Sequence, residues 1–358
     1  MPTWSLLTPL AAAAVLLFMV LGPTALPAGA LAALGATALV GAVIAAVDHA
    51  EVIAHRVGEP LGTLVLALAV TIIEVALIVS VMVAGGPDKA TLPRDTIFAT
   101  VMIICNGVVG LSLLIGSLRH HEPTFRAEGA NTCLATLMAM SVLTLVLPTF
   151  TISSPGPTYT SAQLAFAAAA SLLLWAVFVF VQTSRHRNYF LPPGAVDDPE
   201  GHAVPTSNGR TWASAGLLVV ALVAVVGLAK MLSPSIEAGL ASVGAPKAVL
   251  GIAIALLVLL PETVAAVRAA HANLLQISLN LAYGSALASI GLTIPAVALA
   301  AVLLGLPLTL GLDPKDLVLL TLTFVVSGIT LASGRSHVMQ GAVHLVIFVA
   351  FLFLALVP

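Results

Sequence analysis

Long runs of Leu, Ala, Val and Ile, separated by short polar stretches, recur along the whole chain. A helix needs roughly 20 mostly apolar residues to cross a bilayer core of about 30 Å. By that measure the pattern predicts eleven spans, at 5–22, 27–47, 60–84, 96–118, 131–150, 160–182, 212–232, 247–270, 275–304, 315–333 and 337–357. Strands of a membrane barrel would alternate apolar and polar at period two over about ten residues. These runs are continuous instead, which predicts helices. The ninth is overlong and contains Gly284, Gly291 and Pro295, so it should be tilted, kinked or broken. Breaks are expected near Pro261 and Gly284, where backbone carbonyls would be released toward a cavity.

Composition agrees with this pattern. Of 358 residues 60% are hydrophobic and only 8% charged, against roughly a quarter charged in a soluble protein. Such a chain must face lipid. A net charge of −2 offers no basic face for nucleic acid, and no Gly-rich phosphate loop precedes a Lys. Cys105 and Cys133 lie inside apolar runs and read as small hydrophobes. Ala28-Gly29-Ala30 resembles a signal-peptide cleavage site, yet no Lys or Arg precedes Arg56, so the first span is read as a retained helix.

Eight of the thirteen basic residues fall on the face shared with the N-terminus and five on the other. That bias predicts a cytoplasmic N-terminus and an external C-terminus in the cell (inner) membrane. The longest connection, 183–211, carries Pro192, Pro193, Pro199 and Pro205 and reads as a cytoplasmic linker. Setting aside 1–22 as an extra N-terminal helix leaves five spans on each side, 27–182 and 212–357. Five is odd, so two similar halves would sit in opposite orientations. The expected fold is therefore an all-α polytopic membrane protein, one extra helix plus two inverted five-helix repeats.

Of fifteen acidic residues only Glu74 and Glu262 fall deep within spans, each about fifteen residues into the second helix of its half. They are 188 residues apart, close to the 185 between the midpoints of the helices that open the halves. An acidic side chain at a helix centre costs about 2.5–3.5 kcal/mol on insertion scales. Structural glue, a protonated carboxyl bridging helices, is one explanation of that expense. The stronger one is a shared midplane cavity in which both bind a cation. Two carboxylates suit a divalent ion such as Ca2+, whose other ligands are neutral oxygens. Thr71, one turn before Glu74, Asn106 in the next helix, and Ser285 and Ser289 in the second half supply candidates. Thiolate and imidazole are missing from this set, which disfavours zinc or copper. Burial favours a protonated carboxyl and a bound cation favours the ionised form, so proton and metal compete for one site. That competition is the basis of antiport.

Gly58-Glu59-Pro60-Leu61-Gly62-Thr63 running into Thr71-Ile72-Ile73-Glu74, and Pro261-Glu262-Thr263 followed by Gly284-Ser285-Ala286-Leu287-Ala288-Ser289-Ile290, resemble the two repeat motifs of bacterial calcium(sodium, potassium)–proton antiporters in the calcium–cation antiporter superfamily. The resemblance covers nearly the whole chain. It implies export of Ca2+, with Na+ or K+ as alternatives, against protons, with Glu74 and Glu262 as the shared ion and proton sites. Asn106 looks like the family's Asn after the first motif. The sequence departs at Ala288, where a Gln is expected, and lacks the Gly-Asn pair that opens each motif in eukaryotic exchangers. The partners implied are the cation, protons and lipid, with no cofactor; the sequence permits an oligomer.

Other polar groups read less specifically. Glu59 would line an entry path to Glu74 or stabilise a helix N-terminus. Asp48, His49, Glu51 and His55 are expected to form a solvated mouth. His120-His121-Glu122 reads as an interfacial loop and Asp197, Asp198 and Glu200 as solvated linker. His337 and His344, seven apart, share a helix face and suit helix–helix hydrogen bonding. Two rival functions are weaker. A metabolite or drug exporter would not need matched glutamates, and a membrane-embedded transferase would need Asp pairs or a His–acid pair, whereas the one Asp pair lies in the linker.

Overall fold

The computed structural model describes residues 3–21, 27–57, 61–193, 207–242 and 244–357. Among them, eleven helices are long and apolar enough to cross a membrane. They are α1 (Thr3–Leu21), α2 (Ala28–Val57), α3 (Leu61–Gly85), α4 (Leu92–His120), α5 (Ala127–Phe150), α6 (Ser161–Arg185), α7 (Asn208–Ser242), α8 (Ala248–His271), α9 (Leu275–Leu304), α10 (Pro314–Ala332) and α11 (Val338–Leu356). The eleven expected runs are all helical, and the chain is an all-α, multi-pass membrane protein. Two helices outrun their apolar cores: α2 continues through the polar residues to Val57, and α7 starts at Asn208 and ends at Ser242.

The chain divides into two compact units, one formed by 1–89 with 198–250 and the other by 90–197 with 251–358. In the first, α2 packs against α1, α3 and α7. Small residues permit this: the side chain that Gly35 lacks would lie 3.0 Å from both Met19 and Leu232. Pro9 sits inside α1 and has no N–H to offer the Ser5 carbonyl four residues back. His49 of α2 supplies one instead, its Nε2 donating to the Ser5 carbonyl at 2.8 Å while its Nδ1 accepts from Ser214 Oγ of α7 at 3.2 Å. One imidazole thus joins three helices. The expected mouth is corrected here: Glu51 and His55 are exposed, but His49 is wholly buried, because its partners lie on neighbouring helices rather than in water.

In the second unit every residue of α4 from Leu92 to Gly110 is buried, within an apolar core that includes Met102, Leu113, Leu137, Tyr283 and Leu287. The start of α4 is held by charge. Arg94 Nε meets Asp95 Oδ1 at 2.8 Å, its Nη1 donates to the Gly311 carbonyl at 3.0 Å, and Thr91 Oγ1 donates to Asp95 Oδ2 at 3.0 Å. Gly251 lets α8 rest on this turn, its absent Cβ lying 2.9 Å from Asp95 and the Thr96 nitrogen.

Four helices of this unit widen locally into a π turn, at Ile103–Val108 in α4, Val142–Val146 in α5, Val181–Arg185 in α6 and Ser289–Thr293 in α9. Two of these turns are followed by proline, Pro148 and Pro295, whose missing N–H leaves carbonyls behind it without their usual donor. In α5 those carbonyls are met from outside: Tyr159 Oη donates to Leu143 O at 2.6 Å and Leu312 N to Leu145 O at 2.9 Å. Burial raises the pKa of Tyr159, keeping this donor protonated.

The irregularity expected in the ninth span is present, but it begins five residues beyond Gly284. Pro261 does not break its helix. α8 runs unbroken from Ala248 to His271, since a transmembrane helix accommodates proline when neighbouring groups serve the freed backbone. The segment 183–193 is also structured. Phe190 is buried, its carbonyl accepts from Asn280 Nδ2 at 2.6 Å, and the Leu191 carbonyl accepts from Arg126 Nε at 3.0 Å.

Candidate functional site

Glu74 is the only charged residue in α3 and is 1% exposed. Thr71, one turn earlier on the same face, is also buried. Both belong to the first unit. Glu262 lies in α8 of the second unit, fifteen residues into the helix and only partly buried. The matched carboxylates therefore differ in exposure. Nothing else acidic lies in α8; its basic residues, Arg268 and His271, are in the last turn.

Ser285 and Ser289 are four residues apart in α9, so they share a face. Ser285 is half-buried, and buried Ser289 opens the π turn. Asn106 lies within the π turn of α4 and is completely buried. The α4 π turn packs on the first part of α9, and the start of α4 packs on the π turn of α9. The two turns begin 186 residues apart, nearly the 188 that separate the glutamates. π Turns are frequent at functional sites. Their positions carry a sequence signal only in part: Asn106-Gly107 in one helix, and Gly291 with Pro295 in the other.

Asn106 is not isolated. Its Nδ2 donates to Thr323 Oγ1 of α10 at 2.9 Å, and its Oδ1 lies 3.1 Å from His344 Nδ1 of α11, at hydrogen-bond distance. His344 is buried, and its Nε2 is hydrogen-bonded with Thr330 Oγ1 at 3.2 Å. Glycine brings these helices together. A Cβ at Gly110 would lie 3.0 Å from His344 Cβ, and one at Gly341 would lie 2.5 Å from the Leu114 nitrogen. His344 thus makes the helix–helix bonds expected of it. His337 does not share that environment: it caps α11 from outside and is exposed.

Glu59, Asp197, Asp198 and Glu200 lie outside the described residues. His120 donates from Nε2 to the His271 carbonyl at 2.9 Å, and Arg119 donates to His271 Nε2 at 2.8 Å, which ties the ends of α4 and α8 at a polar surface. Among the described residues, no three His, Cys, Asp or Glu side chains gather as a metal-binding group.

A family model described as sodium/calcium exchanger protein matches residues 27–184 and 213–357. The y4hA protein of Sinorhizobium fredii is 48% identical over 321 residues, covering 89% of this chain and 87% of that protein. The sodium-potassium/proton antiporter ChaA of Escherichia coli is 36% identical over 326 residues, covering 89% and 88%. Among solved structures, native YfkE aligns over 98% of this chain and 99% of its own with a TM-score of 0.72 at 17% identity.

Proposed function

Because the chain belongs to the sodium/calcium exchanger protein family, a family of transporters and not of enzymes, we propose that it is a secondary active cation/proton antiporter working by alternating access at Glu74 and Glu262. The carrying observation is Glu74, a buried carboxylate in an otherwise uncharged helix, with Glu262 at the matched place in the other half. Packing alone would select a neutral residue at such a depth. A group that must be neutralised alternately by protons and by a metal has reason to stay acidic.

Two carboxylates balance a divalent charge, so Ca2+ is the cargo proposed, exported against entering protons. Thr71, Asn106, Ser285 and Ser289 serve as neutral oxygen ligands, and Glu59 lines the entry path. Na+ or K+ is the second reading, favoured by the 36% identity to a sodium-potassium/proton antiporter. The halves 27–182 and 212–357 act as inverted repeats, separated by a cytoplasmic linker at 183–211. Two observations support this: the family model matches twice, on either side of that linker, and the π turns of α4 and α9 recur at nearly the spacing of the glutamates. The excess of basic residues on one face supports a cytoplasmic N-terminus in the inner membrane.

The test is proton release from everted vesicles on addition of Ca2+, Na+ or K+ in parallel. Glu74→Gln and Glu262→Gln are each expected to abolish exchange while insertion and abundance persist. Exchange at the wild-type rate in either variant overturns the assigned site.

A further inference from the structure

An asparagine side chain has two donor hydrogens and two acceptor lone pairs. In Asn106 three of the four are committed inside the second unit. One Nδ2 hydrogen goes to Thr323 Oγ1, the other faces Met102 Sδ at 3.9 Å, and one lone pair of Oδ1 receives His344 Nδ1. What remains is a single oxygen lone pair, the one feature of an amide that attracts a cation. Thr323 Oγ1 completes the chain by donating to Met102 Sδ at 3.4 Å.

The opposite flip of the amide would present N–H instead. It requires His344 Nδ1 to act as acceptor, hence the Nε2–H tautomer, and it turns the Thr323 hydroxyl away from Met102. The two flips are therefore coupled to the two tautomers of one buried ring. Thr330 decides between them if its hydroxyl donates to Nε2, because the proton then resides on Nδ1.

We propose that His344 is a positioning residue for exchange, holding the Asn106 amide in the π turn of α4 with its free valence an oxygen lone pair. The inference rests on the reading of Asn106 as a neutral cation ligand. The machinery is local and preformed: the contact needs the bare backbone of Gly110 and Gly341, which lets α11 approach α4 closely enough for the ring to reach the amide.

The test has two arms. In wild-type protein reconstituted in bilayers, the 15N resonances of His344, assigned through their contact with the Asn106 side-chain amide, should show a protonated Nδ1 and a bare Nε2. A protonated Nε2 with a bare Nδ1 overturns the proposal without any substitution. In the second arm, His344→Leu removes the donor, whereas His344→Asn restores an N–H close to the position of Nδ1–H. His344→Leu should raise the cation concentration for half-maximal exchange on the order of fivefold to tenfold, the value of one hydrogen bond, with the maximal rate little changed. His344→Asn should recover most of that loss. An unchanged half-maximal concentration in His344→Leu, or an equal fall of maximal rate in both variants, overturns positioning. Retained exchange in Glu74→Gln and Glu262→Gln would overturn the cation site instead, and the tautomer would still be decided by the first arm.

Discussion

Replacing Glu74 by Gln should make the protein more stable while stopping it from working. The side chain is 1% exposed in a helix with no other charge, and Gln has nearly its shape. The substitution therefore removes an acidic side chain from depth, an expense of at most about 2.5–3.5 kcal/mol on insertion scales, without opening a cavity. Taking roughly 2.1 cal/mol/K of unfolding entropy per residue over 358 residues, about 3 kcal/mol corresponds to a rise of about 4 °C in the thermal midpoint. The assay is thermal unfolding in detergent at neutral pH, followed by tryptophan fluorescence, beside vesicle exchange on the same preparation. A midpoint that falls by a few degrees at neutral pH would mean that the carboxyl is structural glue, and the functional argument for Glu74 would fail.

Other perturbations test the scaffold. His49→Leu leaves the Ser5 carbonyl and Ser214 hydroxyl without that imidazole, and should cost about 1–3 kcal/mol, read as faster proteolysis of α1, with exchange retained. Gly341→Ala places a methyl 2.5 Å from the Leu114 nitrogen and should cost about 1–3 kcal/mol by overpacking. Its exchange should resemble that of His344→Leu, since the same contact is pushed apart. Tyr159→Phe removes the donor to Leu143 and should lower the thermal midpoint below pH 10. Because burial raises the tyrosine pKa, this contribution is full below the ordinary value and is lost as pH climbs through the raised one. The gap between wild type and Tyr159→Phe should therefore close in alkali.

Hydrophobic runs alone predict all eleven helices, because in lipid a backbone has few alternatives to helix. The two glutamates were equally legible, since a charge inside an apolar run stands out whatever surrounds it. Other features depend on neighbours the sequence does not announce. His49 lies next to Asp48 and near Glu51, so it reads as solvated; burial comes from Ser5 and Ser214, the latter 165 residues away. The bond from His344 to Asn106 joins residues 238 apart. Pro261 reads as a break, yet it lies in an unbroken helix, while the widened turns of α4 and α9 fall where a polar or glycine residue is unremarkable in the pattern.

The proline in α1 has a consequence for how the chain is made. While α1 enters the bilayer, Pro9 has no N–H to give the Ser5 carbonyl, and the bond from His49 that reaches it in the folded protein has not yet formed. His49 arrives only with the following helix. Delivery of α1 and α2 to lipid as a hairpin brings that imidazole to α1 at once, and a truncation after residue 27, which removes it, should weaken retention of α1 in the membrane fraction.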